Sequence, residues 1–182
     1  IISDILPLDV RLEGSPFRLH HFVGSPCAAN DYQPLLDELA PGTRKRIATA
    51  GGRPTSSDLP YFNVELGEGH GAIAAVSWAG QWAAEFVRDG DDGLRVCGGQ
   101  ELTRFTLHPG EEVRSPLAVL QFYNGDWIRG QNLWRGWTVE HNIPQLDGKP
   151  IHPTLSACNG NHYPGIITDA AGEQEFLRRY LE

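Results

Sequence analysis

Between Gly71 and Phe86 the side chains alternate with a period of two, and nothing else in the sequence restricts the fold as much. Ala74, Val76 and Trp78 fall on one side of an extended chain, and Ile73, Ala75 and Ser77 on the other. Ala79-Gly80 supplies a bend, after which Trp82, Ala84 and Phe86 share a face of the next segment. A period of two belongs to a strand, whose successive side chains point to opposite faces of a sheet. A sheet with an apolar face must cover it with another layer. The 21 glycines and 13 prolines come in short clusters along the chain, which suits many short strands joined by turns. The expectation is a mostly β protein.

The 182 residues are enough for one domain, or for one domain and a piece of another, with a core that needs no covalent staples. The net charge of −8 and the scattered basic residues offer no surface that would track phosphates, so nucleic acid is not an expected partner. No apolar run approaches the ~20 residues needed to cross a bilayer, and the longest, Pro116 to Phe122, is strand-sized, so no membrane role is expected. Cys27, Cys97 and Cys158 are odd in number and lack CxxC spacing. They indicate neither a disulfide framework nor a zinc knuckle, and are expected to be buried small thiols. No residue pattern calls for a metal or a cofactor. The sequence contains no methionine and opens on IISDILPLDV, which reads as a strand already under way, while GEQEFLRRYLE stops without a helix terminator. The chain is expected to be a piece cut on both sides from a longer protein.

Taken in order, Ile5 to Leu12 and Phe17 to Val23 flank the turn signal Glu13-Gly14-Ser15-Pro16 and read as a β-hairpin. His20 and His21 are neighbours on a strand and so point to opposite faces, which argues against a shared metal site. Asp31 to Arg46 is polar, carries Pro34 and Pro41, and reads as a loop. Gly51 to Ser57 lacks the Gly-Lys-Ser/Thr ending and the strand–helix context of a phosphate loop, and reads as a surface turn leading into a strand over Tyr61 to Leu66. Asp89 to Gly93 is a solvated acidic turn without the distal glutamate of a calcium loop. Leu94 to Cys97, Leu102 to Leu107 and Val113 to Tyr123 read as further strands, the first two separated by Gly98-Gly99. Glu111 and Glu112 are adjacent on an extended segment and diverge, so they do not form the converging carboxylate pair of a glycosidase.

Asp126 to His141 is the one convincing helix of this part. Trp127, Gly130, Trp134, Trp137 and His141 share a face, Asn124 or Asp126 can cap the N-terminus, and Pro144 follows the end. Gly130 on that face costs about 1 kcal/mol against alanine, which points to a neighbour that packs close. A tryptophan stripe at helical spacing is expected to be core rather than a sugar platform. Beyond Pro144 the pattern changes: a turn at QLDGKP, a short strand over 153–158, the polar loop 159–165, and a helix from near Thr168. That is one β/α unit, which a sandwich does not need.

At this point the residues resemble a known family. GGRPTSSDLPYFNVEL, GAIAAVSWAGQWAAEF, LTRFTLHPGEEVRSPLAVLQF and DWIRGQNLWRGWTVEHNIP, in that order, are similar to the N-terminal domain of α-galactosidases of glycoside hydrolase family 36, with the likeness running from about Val10 to Glu182. The resemblance implies a large antiparallel β-sandwich, a supersandwich, over residues 1–144 with a linking helix. Residues 145–182 would then hold a linker and the first strand and helix of a truncated (β/α)8 barrel. It implies a retaining hydrolase of terminal α-galactosides whose two catalytic aspartates lie on later barrel strands outside this sequence, so that the fragment itself is inactive. The loop after the first barrel strand would reach substrate, which makes Asn159, Asn161 and His162 the expected contacts to sugar hydroxyls. The tryptophan that this loop carries in the family is absent here, which widens the expectation to a related α-glycosidase. The expected partner is a carbohydrate, and a homo-oligomeric parent enzyme falls within the same expectation. Two other readings stay open on the residues alone: a stand-alone carbohydrate-binding sandwich with its tryptophans as platform, and a purely structural or assembly domain.

Overall fold

A computed structural model describes residues 1–151 and 170–181. The chain divides into two compact units, Ile1–His141 and Asn142–Glu182.

The first unit is two antiparallel sheets with a helix. One sheet has four strands in the order β1 (Ile5–Glu13), β8 (Gly93–Gln100), β7 (Trp82–Arg88), β4 (Arg44–Ala48). The other has five in the order β3 (Pro34–Glu38), β2 (Arg18–Phe22), β5 (Tyr61–Glu65), β6 (His70–Ser77), β9 (Leu117–Asn124). Every pairing is antiparallel. The core lies between the sheets and follows the alternation in the sequence. Trp82, Ala84 and Phe86 of β7 are wholly buried, facing Phe62 and Val64 of β5 and Ala72, Ala74 and Val76 of β6. The Phe62 ring meets Phe86 edge-on at 5.0 Å and Trp82 at 6.0 Å, so one aromatic side chain ties the two layers together. The Trp82 indole N–H, which would otherwise be an unpaired buried donor, donates to the Pro54 carbonyl at 2.6 Å.

Several expectations change. The first two strands are not a hairpin: β1 pairs with β8 in the four-stranded sheet, while β2 pairs with β3 and β5 in the other. The turn at Glu13 to Pro16 therefore carries the chain from one sheet to the opposite one. The stretch read as a loop holds β3 and most of β4, both edge strands, where proline and charge are tolerated because one side of the ladder is empty. Gly98 and Gly99 do not end a strand but lie within β8. A Cβ on Gly99 would come within 2.1 Å of the Ile5 carbonyl oxygen, where the β1 register shifts, so glycine is what lets β1 approach. The strand expected over Leu102 to Leu107 reduces to a single bridge between Phe105 and Ile2, with Leu102 in the left-handed region at φ 58°. The last strand begins at Leu117 rather than Val113. Cys27 is exposed and Cys97 half-buried, so neither is the buried thiol expected of it; Cys158 lies outside the described residues.

The helix α1 (Trp127–His141) lies against the outer face of the five-stranded sheet, over β5, β6 and β9. Asp126 caps it, its Oδ1 accepting from the Arg129 amide at 2.8 Å. In the second unit, β10 (Gln145–Leu146) and β11 (Lys149–Pro150) pair as a hairpin. Its two-residue turn, Asp147-Gly148, has both residues at positive φ. The helix α2 (Ala170–Leu181) follows. The expected strand over 153–158 and loop over 159–165 lie outside the described residues.

Candidate functional site

The sequence-expected substrate contacts Asn159, Asn161 and His162 lie outside the described residues. Among the described ones, the side chains with chemical potential gather around the seam between α1 and the sheet, and at one flank of the sandwich interior.

At the seam, aromatic rings form a row. Phe22 stacks on Tyr61 at 5.6 Å, Tyr61 on Trp134 at 5.4 Å and Trp134 on Trp137 at 5.0 Å, with His141 tilted against Trp137 at 5.4 Å. Separately, His20 stacks on Trp127 at 4.6 Å. The helical spacing in the sequence accounts for the α1 members; Phe22 and Tyr61 escaped it because they come from different strands that only the sheet pairing brings into line. The row is not core: Phe22, Tyr61, Trp134 and Trp137 are half-buried, His141 is exposed, and Gly130 is the only fully buried residue of α1. A close neighbour for Gly130 was expected, and it is the Tyr123 ring, 2.5 Å from where a Cβ would stand.

The row has little left to offer a sugar. Pyranose stacking needs a free ring face, whereas Tyr61 and Trp134 each stack on two neighbours. The Tyr61 hydroxyl is buried without a partner, and burial pushes its pKa well above the usual tyrosine value. The arrangement holds a helix on a sheet. At the helix start, the wholly buried Asn63 donates to the Trp127 carbonyl at 2.9 Å and accepts from the Tyr123 hydroxyl at 2.6 Å. Burial raises the Tyr123 pKa to about 12, with the Glu65 charge adding to it.

The two adjacent histidines diverge as the strand period requires. His20 turns outward beneath α1 and bonds Glu65 through Nε2 at 2.6 Å. His21 turns to the other face and bonds Asp37 through Nε2 at 2.8 Å, with Asp58 3.9 Å from its Nδ1. Lys45 of β4 pairs with the same Asp37, so this contact links the two sheets. Burial lowers the His21 pKa; its hydrogen bond to Asp37 opposes that and the nearby Lys45 charge reinforces it. Burial acts to raise the Asp37 pKa, but Lys45 and His21 outweigh it and leave the carboxyl below the ordinary value. These carboxylates are engaged in structural pairs.

The acidic turn is also spent on structure. Asp89 accepts from the amides of Gly93 at 2.9 Å and Asp91 at 3.0 Å and from Arg11 at 2.9 Å, and these bonds, that of Gly93 first, pull its pKa down against a smaller effect of burial. Glu111 accepts from the His108 amide at 2.8 Å, a turn bond as expected. Open clefts among the described residues include one of about 350 Å3 bordered by Arg18, Glu65, Glu68 and Asp126, one of about 250 Å3 beside Phe17, Glu38 and Arg88, and a shallow one of about 430 Å3 on α1 beside Asn132, Arg135 and Glu140. Among the described residues no three His, Cys, Asp or Glu side chains are grouped so that they could hold a metal ion.

No protein-family model matches the sequence, and no curated protein matches it. Solved structures do match. The crystal structure of the α-galactosidase from Lactobacillus brevis is similar over 64% of this chain and 16% of its own, with 16% identity and a TM-score of 0.56. The GH36 α-galactosidases AgaA and AgaB from Geobacillus stearothermophilus are each similar over 64% of this chain and 17% of theirs, with 19% identity and a TM-score of 0.52. Variants of AgaA are also solved in complex with raffinose and with stachyose. The chain thus spans about one sixth of the length of the structures it matches. At such identities the likeness speaks for the fold, and the fold of this chain is that of an N-terminal GH36-like β-sandwich domain.

Proposed function

We propose that this chain is the sandwich portion of a retaining glycoside hydrolase, an α-galactosidase-like enzyme acting on terminal α-galactosides. The observation that carries the reading is the likeness of the sandwich to three α-galactosidases, two of them GH36 enzymes, joined to the ordered motifs from GGRPTSSDLPYFNVEL to DWIRGQNLWRGWTVEHNIP. In this reading residues 1–144 are the sandwich with its linking helix, and 145–182 open a (β/α)8 barrel whose later strands carry a nucleophilic aspartate and an acid/base aspartate. The nucleophile attacks the anomeric carbon while the second aspartate protonates the leaving oxygen; water activated by the second then releases the sugar. Asn159, Asn161 and His162, in the loop after the first barrel strand, are the residues of this chain proposed to bond sugar hydroxyls. The carbohydrates bound in the AgaA variants support a carbohydrate as the substrate class. The reading of a free-standing sugar platform loses ground because the rings that would form it stack on one another.

The 182-residue chain is expected to leave an aryl α-galactoside unhydrolysed. Turnover that survives purification and disappears when a local carboxylate such as Glu65 is changed to glutamine would overturn the division of labour proposed here. In a protein that includes the barrel, Asn161→Ala and His162→Ala are expected to raise KM for an aryl α-galactoside. Unchanged kinetics in both would remove these residues from the site.

A further inference from the structure

Among the described residues Arg88 is the only buried arginine or lysine, at 5% exposure, and its guanidinium is under-partnered. Nη1 donates to the Gly93 carbonyl at 3.1 Å and lies 3.6 Å from Asp89 Oδ1, and the guanidinium sits over the Phe17 ring, 4.5 Å from its centroid. Nε is buried without a hydrogen-bond partner, and among the described residues no bond engages Nη2. Asp89 does not make up the difference, because its oxygens already accept from Arg11 and from the amides of Gly93 and Asp91. Arg95, exposed on β8, is gripped by both oxygens of Asp9 at 2.8 and 2.7 Å. A charge taken out of water needs such a partner more than an exposed one does. Arg88 borders the cleft of about 250 Å3 that opens beside the start of β2 and the end of β3. Pro16, Phe17, Leu39, Ala40 and Pro41 give that cleft apolar walls, and Arg18 and Glu38 are the other charges along it.

We propose that this cleft is a binding site for a small monocarboxylate with a short apolar body, whose carboxylate accepts from Nε and Nη2 of Arg88. The donors left over select the ligand. Two parallel N–H groups on one edge of a guanidinium match the two oxygens of a carboxylate, and the pair so formed is stronger and more directional than a bond between neutral groups. The apolar walls suit a short hydrocarbon chain behind the carboxylate. A single negative charge fits better than two. Glu38 borders the cleft and Asp89 lies beside the far side of the guanidinium, so a dianion such as phosphate meets two repelling carboxylates. The site is built from residues of the sandwich alone, and it stands or falls apart from the hydrolase reading.

Titration of the isotope-labelled 182-residue chain with sodium butyrate at constant ionic strength, followed by NMR, tests the proposal. The Nε–H signal of Arg88 and the backbone amides of Phe17 and Leu39 are expected to shift together and to saturate, with a dissociation constant on the order of 1 mM. Butyramide, the neutral isostere, is expected to shift none of them, and inorganic phosphate to bind about tenfold more weakly than butyrate. Arg88→Lys keeps the charge and loses the fork, and is expected to raise the dissociation constant about tenfold. Glu38→Gln removes a repelling carboxylate and releases Arg18, whose Nε lies 3.9 Å from it, so the dissociation constant is expected to fall about twofold. The Glu38 side chain is 82% exposed, and its variant carries the test should Arg88→Lys not fold. Shifts that rise without saturating, an equal response to butyramide, tighter binding of phosphate, or a dissociation constant indifferent to either substitution would each overturn the proposal.

Discussion

Gly130 is where α1 comes closest to the sheet, with an added Cβ standing 2.5 Å from the Tyr123 ring. Alanine gains about 1 kcal/mol in helix propensity, yet it must push against a ring held by the bond to Asn63. Gly130→Ala is therefore expected to lower stability by about 1–3 kcal/mol in urea unfolding, the opposite sign from propensity alone. Asn63→Ala would leave the buried Tyr123 hydroxyl and the Trp127 carbonyl without these partners, at a cost of about 2–4 kcal/mol. His21 gives a pH dependence. Burial holds its folded pKa below the ordinary 6.5, so as pH falls through 6.5 the unfolded chain takes up a proton before the folded one does. The stability due to the neutral ring is complete above pH 6.5 and is lost as pH falls toward the lowered value. Urea midpoints measured between pH 7 and about pH 5 are expected to fall less steeply in His21→Gln than in the natural chain. Equal slopes would mean that the ring does not titrate in that window. At this scale the sequence was partly legible. The divergence of His20 and His21 and the close neighbour of Gly130 follow from strand and helix periods. The partners Glu65, Asp37 and Lys45 come from strands far along the chain, and no local pattern points to them.

At the scale of elements, the central strands were readable and the edges were not. β5, β6 and β7 announce themselves because Phe62, Ala74, Val76, Trp82 and Phe86 must face a core at every second position. β3 opens on a proline and ends on two acids, and β4 is mostly charged, because both border solvent, and proline and charge are the signals by which a loop is recognised. The first hairpin failed on topology: a turn such as Glu13 to Pro16 says that the chain bends, and says nothing of which sheet it enters next. The helix was legible in extent and cap but not in depth, because an aromatic face packed on a sheet looks the same in sequence whether its rings are sunk or stacked at the surface. Tryptophan fluorescence separates these cases. Trp82 is wholly buried whereas Trp134 and Trp137 are half-buried, so acrylamide is expected to quench a part of the emission and leave a resistant part. Trp82→Phe should remove the resistant part. A uniformly protected signal would mean that the α1 face is core after all. The candidate substrate contacts Asn159, Asn161 and His162 rest on a family likeness alone, since no periodicity marks them, and they lie outside the described residues.

At the scale of the whole molecule, the two sheets share one core, so damage at their junction should be felt throughout the sandwich. Phe86→Ala removes a ring that meets Phe62 across the layers and is expected to cost about 3–5 kcal/mol in a single cooperative transition. Two separated transitions would show that the sheets unfold independently. The crossing of the chain at Glu13 to Pro16 has a consequence in time. Among the described residues β1 pairs only with β8, with Ile5 set against Gln100. During synthesis this pairing cannot form until Gln100 has been made, and a high share of such distant pairings slows folding. β1 is in effect the closing seam of the four-stranded sheet. A chaperone that shields the nascent chain would have to hold on until Gln100 has cleared the exit tunnel.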